Sequence, residues 1–96
     1  MFLLVLETYR LDLVRLGEEM GEAVRRSDKA GFRRAAHALA GAAGGIGATE
    51  IQRLARKGMD EAADPAPMYP PLRTAILQAC EAIDVLADGV TGGHPS

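Results

Sequence analysis

The sequence predicts an all-α protein, an antiparallel up-down-up-down four-helix bundle. Four segments carry apolar residues at every third or fourth position, which is the spacing of one helix face. No segment alternates apolar and polar residues with the period of two that marks a half-buried strand. The connections between the four segments are short, so helices that follow one another in sequence are expected to pack side by side.

The first two helices are expected to meet at Ser27 and Asp28, because both residue types are good helix N-caps. The first helix is predicted from about Leu3 to Arg26 and the second from about Lys29 to Gly44, where glycines favour a helix end. The apolar stripe of the first helix is Leu6, Tyr9, Leu13, Leu16, Met20 and Val24. That of the second is Phe32, Ala35, Ala36, Leu39, Ala43 and Ile46.

The third helix is predicted to begin near Thr49, which forms a capping-box pattern with Gln52. Proline-rich residues 64–67 are expected to end it, and Pro70–Pro71 to open the fourth helix, since the first turn has N–H groups without helical partners. The third stripe is Ile51, Leu54, Ala55, Gly58, Met59 and Ala62. The fourth is Leu72, Ile76, Ala79, Ile83, Leu86 and Val90. The sequence thus predicts one domain over residues 1–90 and a disordered tail over residues 91–96.

Composition narrows the classes of function. A formal net charge of −2 over 96 residues argues against a general binder of nucleic acid or anionic membranes. One cysteine excludes an internal disulfide framework and fits a reducing compartment, so we expect a cytoplasmic protein. No stretch reads as a signal peptide or a membrane span. We also expect a monomer.

The residue sets of common enzymes are missing from the sequence. There is no phosphate-binding loop with lysine and a hydroxyl, no C-x-x-C and no H-E-x-x-H. The serines are a helix cap and the terminal residue, which suits neither for nucleophilic catalysis. We therefore predict no autonomous catalysis and no bound metal or cofactor.

His37 is the remaining candidate for chemistry. At about 100° per residue it lies roughly 150° from the apolar face of its own helix, so it is expected outside the bundle. Its predicted neighbours on that outer face are Arg33, Arg34, Ala40, Gly41 and Gly44. Each glycine inside a helix costs about 1 kcal/mol relative to alanine, and the small residues leave room for a partner to approach. The arginines supply positive charge for a phosphoryl group, and a neutral imidazole is a good nucleophile. The alternative is a surface histidine without a special role.

The stretch AAHALAGAAGGIGA resembles the motif of histidine phosphotransfer (HPt) domains of two-component phosphorelays. His37 matches the phospho-accepting histidine, Leu39 the buried leucine, Gly41 the glycine four positions on, and Gly47-Ala48 the pair that opens the next helix. The resemblance implies that His37 accepts a phosphoryl group from an aspartyl-phosphate of a receiver domain, or from a histidine kinase, and passes it to a response regulator. Mg²⁺ would be supplied by the receiver.

The implied partners are a response-regulator receiver domain and a hybrid sensor histidine kinase. They would dock on the outer face around His37, with an apolar contribution from the first helix. A second arrangement within the family also fits, the phosphorylated domain of a chemotaxis-type kinase.

The chain departs from the family motif at Ala40, where the family usually has lysine. Arg33, Arg34 or a cation of the third helix, Arg56 or Lys57, would have to replace its charge. The competing interpretation is a degenerate module or structural bundle that binds a partner without phosphotransfer.

Overall fold

The computed structural model describes residues 2–45 and 48–91, and the side chains of residues 4–45 and 48–89. Every regular element in these residues is an α-helix, as predicted. The helices are α1 (Phe2–Arg25), α2 (Lys29–Gly45), α3 (Thr49–Gly58) and α4 (Pro65–Thr91). α2 packs against α1 and α3, and α4 packs against the same two helices, so α2 and α4 lie diagonally opposite each other.

Contacts between the ends of the helices show the antiparallel arrangement. Early in α1, Arg10 forms an ion pair with Asp84 late in α4, at 2.9 Å. Late in α1, Gly21 lies against Tyr69 near the start of α4. α2 is likewise antiparallel to its two neighbours, because its C-terminal Gly45 lies against Tyr9 and its N-terminal Phe32 lies against Gly58. Each helix thus reverses the direction of the one before it, as the short loops predicted.

The core confirms most of the predicted apolar stripes, while Ile46 and the side chain of Val90 lie outside the described residues. Its buried members include Leu13, Leu16, Met20, Phe32, Leu39, Ile51, Leu72 and Ile76. Leu86 was predicted to face the core but is 51% exposed. The reason is geometric: Leu86 lies in the long C-terminal part of α4, beside an open groove toward the N-terminal end of α3, and no side chain covers it fully.

The loop between α1 and α2 confirms Asp28 as the predicted N-cap of α2, whereas Ser27, predicted as a second N-cap residue, belongs to the C-terminal end of α1. The N–H of Ser27 donates to the carbonyl of Val24, and the N–H of Asp28 donates to that of Ala23, which is the Schellman arrangement that ends a helix. Ser27 accordingly has a left-handed φ of 56°. The Asp28 carboxylate then accepts a hydrogen bond from the N–H of Gly31 at 2.9 Å and caps α2.

α3 begins at Thr49 as predicted, but its capping and its C-terminal end differ from the prediction. The N-cap of α3 is Ala48, and no side chain caps the helix, so the expected capping box at Thr49 does not form. Ala62 was assigned to the apolar stripe but is exposed, because the helix already ends at Gly58. The Asp60 carboxylate accepts the N–H of Ala62 at 2.9 Å, and such a local side-chain bond competes with continuation of the helix.

The fourth helix begins earlier than predicted, at Pro65 instead of Pro70–Pro71. Pro65 and Pro67 both fall in the first turn, where a missing N–H costs no hydrogen bond. Pro70 and Pro71 lie within the helix, where each lacks the N–H that would bond to the carbonyl four residues earlier. Those carbonyls belong to exposed residues near the helix start, where water can reach them. At the other end, Thr91 belongs to α4, and the rest of the predicted tail lies outside the described residues.

Candidate functional site

α2 presents two contrasting faces. The face packed against α1 and α3 consists of Phe32, Ala35, Ala36, Leu39, Ala40 and Ala43. The opposite face is exposed, and we call it the His37 face; it consists of Ala30, Arg34, His37, Ala38, Gly41 and Gly44. Because α4 lies diagonally behind α2, no other helix of the described chain covers this face. The site predicted from sequence is therefore on the outside of the bundle and near the middle of α2.

The His37 side chain is exposed on the surface of α2. It makes no hydrogen bond or ion pair within the described part of the chain. It lies in a shallow, open depression lined by Ala30, Arg33, Arg34, His37 and Met59. An imidazole in this setting is open to another molecule from the solvent side, which a core histidine held by hydrogen bonds would not be.

Gly41 leaves an open approach to His37 from the next turn of α2. A β-carbon placed on Gly41 would meet no atom within 4 Å. Gly44, one turn further on, is also exposed, but a β-carbon there would lie 2.8 Å from Nε2 of Gln52 in α3. On the C-terminal side of His37, the helix surface at Gly41 and Gly44 therefore carries no side chain, and Gln52 of α3 borders it. Both glycines lie where the sequence predicted.

Ala40 does not lie where the sequence predicted. It was placed on the outer face, but it is only 7% exposed and belongs to the buried face of α2. A step of three residues turns a helix by about 300°, which carries position 40 away from His37 toward the side of Ala36. Ala36 touches α3, since its β-carbon lies 3.3 Å from one built on Gly58. Ala40 thus offers almost no surface to a partner.

Arg33 and Arg34 differ in their placement. Arg34 is exposed on the His37 face, whereas Arg33 is half-buried toward α3. Both line the depression that contains His37. Arg56 and Lys57, the alternative cations of α3, are exposed but do not line it. Of the cations considered from sequence, the structure therefore brings only this pair together with the histidine.

Two further features near the site are located only by the structure, since the sequence assigned Met59 to the apolar stripe of the third helix and predicted an apolar contribution from the first helix without naming its residues. Met59 lines the His37 depression because α3 runs antiparallel to α2 and its C-terminal end returns beside Arg33. An apolar depression lined by Leu4, Val5, Thr8 and Tyr9 lies on α1, and Tyr9 touches the C-terminal end of α2 at Gly45. Helical periodicity alone marks neither feature, since both depend on which ends of the helices meet.

The described residues give few other candidates for a site. They contain no group of three or more His, Cys, Asp or Glu side chains arranged to hold a metal ion. None of their helices combines the length and the apolarity needed to cross a bilayer.

Comparison with known proteins places this arrangement in a family. The family model for the Hpt domain matches residues 4–86, which include most of all four helices, and the chain belongs to that family. Hpt domains are histidine-containing phosphotransfer modules of two-component systems and interact with receiver domains and histidine kinases. No curated protein and no solved structure matched the chain significantly.

Proposed function

We propose that His37 is the phospho-accepting residue of this Hpt domain. In the forward step, the lone pair of one ring nitrogen attacks the phosphorus of an aspartyl-phosphate on a receiver domain. The new bond is N–P, the bond between phosphorus and the carboxylate oxygen breaks, and the carboxylate leaves with its electron pair. The proton on the other ring nitrogen stays in place. The reverse attack by a second aspartate passes the group to another receiver.

One observation carries this proposal: His37 is exposed and unbonded on an uncovered helix face, within a depression that holds two arginines. The bundle offers no enclosed site around the histidine, so a partner has to complete the reaction centre. Phosphoryl transfer needs metal and acidic groups to position the reacting oxygens. In this proposal the receiver brings both, including Mg²⁺.

The docking surface consists of the exposed residues around His37, with Arg34, Gly41 and Gly44 nearest to it. Arg33 contributes at the edge toward α3. The exposed Leu4 and Val5 of α1 add apolar area beside the C-terminal end of α2. An apolar patch bordered by charge suits a protein partner better than a small substrate.

The test is phosphorylation of the purified protein by a phosphorylated receiver or by a cognate kinase. We expect label that is labile in acid and stable in alkali, as a phosphoramidate is, and complete loss of this label in His37→Gln. His94→Gln is the matched control, since it removes the other histidine of the sequence. It should be labelled like the wild type. Full labelling of His37→Gln would refute the assignment.

The competing function is docking without phosphotransfer, and the observation behind it is alanine at the position of the family lysine. In that case His37→Gln and wild type would bind the receiver equally, and neither would take label from any receiver or kinase. A titration of binding beside the labelling assay separates the two functions.

A further inference from the structure

We infer that Arg33 and Arg34 form a clamp of two guanidinium groups for the phosphoryl group on His37, and that this clamp replaces the lysine missing at position 40. The inference rests on the proposed function of His37. It assigns the two arginines a role on the transferred group itself, in addition to contact with a partner protein.

The first support is that these two arginines have no acidic partner among the residues that the structure describes. Most other arginines of the chain are held in ion pairs: Arg10, Arg15, Arg25, Arg26 and Arg53 each contact a carboxylate at 3.6 Å or less. The side chains of Arg33 and Arg34 make no hydrogen bond or ion pair in the part of the chain that the structure describes. A guanidinium without a carboxylate keeps its fork of N–H donors available for an anion.

The second support is their placement around the histidine. Arg33 precedes His37 by four residues and Arg34 by three, so both lie one helical turn before it. At 100° per residue, they fall about 40° to one side and 60° to the other side of His37. The two long side chains therefore flank the imidazole, and all three line one depression.

The third support is that the other positions considered for a cation do not offer one to a phosphoryl group on His37. Ala40 is packed away and carries no charge, and Arg56 and Lys57 do not line the depression. Arg33 is half-buried beside Met59, and its apolar stem is thereby restricted. Arg34 is more exposed and has more freedom to reach a phosphoryl oxygen. Charge-assisted, two-pronged contacts of this kind are the strongest that a side chain makes with phosphate.

The chemical role follows from where charge resides. When a ring nitrogen of His37 takes the phosphoryl group, three phosphoryl oxygens carry the negative charge. Helical side chains tilt toward the N-terminus of their helix, which is the side on which Arg33 and Arg34 precede His37. Two guanidinium groups stabilise this charge in the transition state and in the phosphorylated protein. They take no proton and form no covalent bond.

The test uses a small donor, so that docking of a partner cannot contribute. A ring nitrogen of His37 attacks the phosphorus of phosphoramidate and forms the new N–P bond. The P–N bond of phosphoramidate breaks, and its nitrogen leaves as ammonia with the electron pair. We expect each of Arg33→Gln and Arg34→Gln to slow labelling of His37 about 10-fold, and the double variant to slow it further. We also expect the ³¹P resonance of the phosphohistidine to shift in both variants.

The matched control is Arg73→Gln. Arg73 is exposed, has no ion pair within the described residues, and lies on α4, diagonally opposite α2. The Arg73→Gln substitution removes one positive charge far from His37, so this variant should be labelled at the wild-type rate. Arg33→Lys and Arg34→Lys should be labelled faster than the glutamine variants but more slowly than the wild type. Lysine restores the positive charge without the paired N–H donors of a guanidinium group. Circular dichroism melts identify any loss of folding.

Wild-type labelling rates and an unchanged ³¹P resonance in the folded double variant would overturn the clamp and leave the role of His37 intact. A slowing of equal size in Arg73→Gln would overturn it too, because overall charge would then explain the effect. A wild-type protein that takes label from neither phosphoramidate nor a receiver would remove the proposed function, and the clamp with it.

Discussion

His37 and Ala40 are three residues apart on α2, yet one is exposed and the other is only 7% exposed. The boundary between the exposed and buried faces of α2 runs between them. A lysine at position 40 would have to extend outward along the helix to reach the histidine, whereas Arg33 and Arg34 begin on either side of it. At the scale of single residues, a rotation of about 60° around the helix axis therefore separates the exposed His37 from the buried Ala40.

At this scale we predict that Gly41→Leu blocks phosphotransfer without unfolding the protein. The β-carbon of residue 41 points into open space, so the helix accepts leucine and gains up to about 1 kcal/mol of stability from its higher helix propensity. The added side chain stands between His37 and a docking receiver. We expect the rate of transfer from a phosphorylated receiver to fall about 100-fold, because a displacement of the reacting groups by about 1 Å can have an effect of this size.

Gly89→Leu is the matched control for this substitution. Gly89 is also exposed, and a β-carbon there meets no atom within 4 Å, but it lies on α4. The control should melt at or above the wild-type temperature and transfer at the wild-type rate. If Gly41→Leu unfolds the domain instead, residue 41 faces the core and the placement of the site is wrong.

At the scale of elements, Asp28 connects two helices by itself. Its N–H closes the last turn of α1 and its carboxylate caps the first turn of α2. The connection is short, so the direction of α2, and with it the direction in which His37 points, depends on this corner. At the start of α3, no side chain plays the same part.

We predict that Asp28→Ala lowers the free energy of unfolding by about 1 kcal/mol, because the N–H of Gly31 loses its acceptor. Thr49→Ala should change it by less than about 0.5 kcal/mol, since Thr49 makes no capping bond. Urea denaturation followed by circular dichroism measures both. Equal losses in the two variants would show that the capping box predicted from sequence does form in solution.

At the scale of the whole molecule, the bundle places the His37 face and α4 on opposite sides of the core. α2 carries the His37 face, and α4 lies diagonally opposite, where it closes the core against α1 and α3. Cys80 is the only cysteine of the sequence and lies on α4, 4% exposed. Burial raises the pKa of its thiol, so at a given pH less of the reactive thiolate is present than in the unfolded chain.

We therefore predict that alkylation of Cys80 at pH 8 is at least about 100-fold slower in the native protein than in denaturant, because it requires opening of the bundle. Cys80→Ala combined with Ala82→Cys is the control, since residue 82 is exposed on the same helix. That variant should be alkylated rapidly in the native state. Rapid alkylation of native wild type would contradict the packing of α4.

The helical periodicity in the sequence was enough to predict four helices, their order, most of the core and the position of His37 on the outer face of α2. These features depend on the local repeat of apolar residues, which does not change on folding. The helix boundaries were harder. Pro65 was interpreted as part of a stop, and Thr49 as a cap, because the same residue types serve in loops and in first turns.

The sequence by itself determined the family motif, the fold class and the position of His37 on α2, because each depends on residue types at fixed spacing. Only the tertiary structure decided which neighbours of His37 are available to it. Packing of α3 on α2 buried Ala40 and brought Met59 beside Arg33. Within the described residues, the folded chain also provides no acidic partner for Arg33 or Arg34. Such contacts depend on how two helices meet, and residues distant in sequence settle that together.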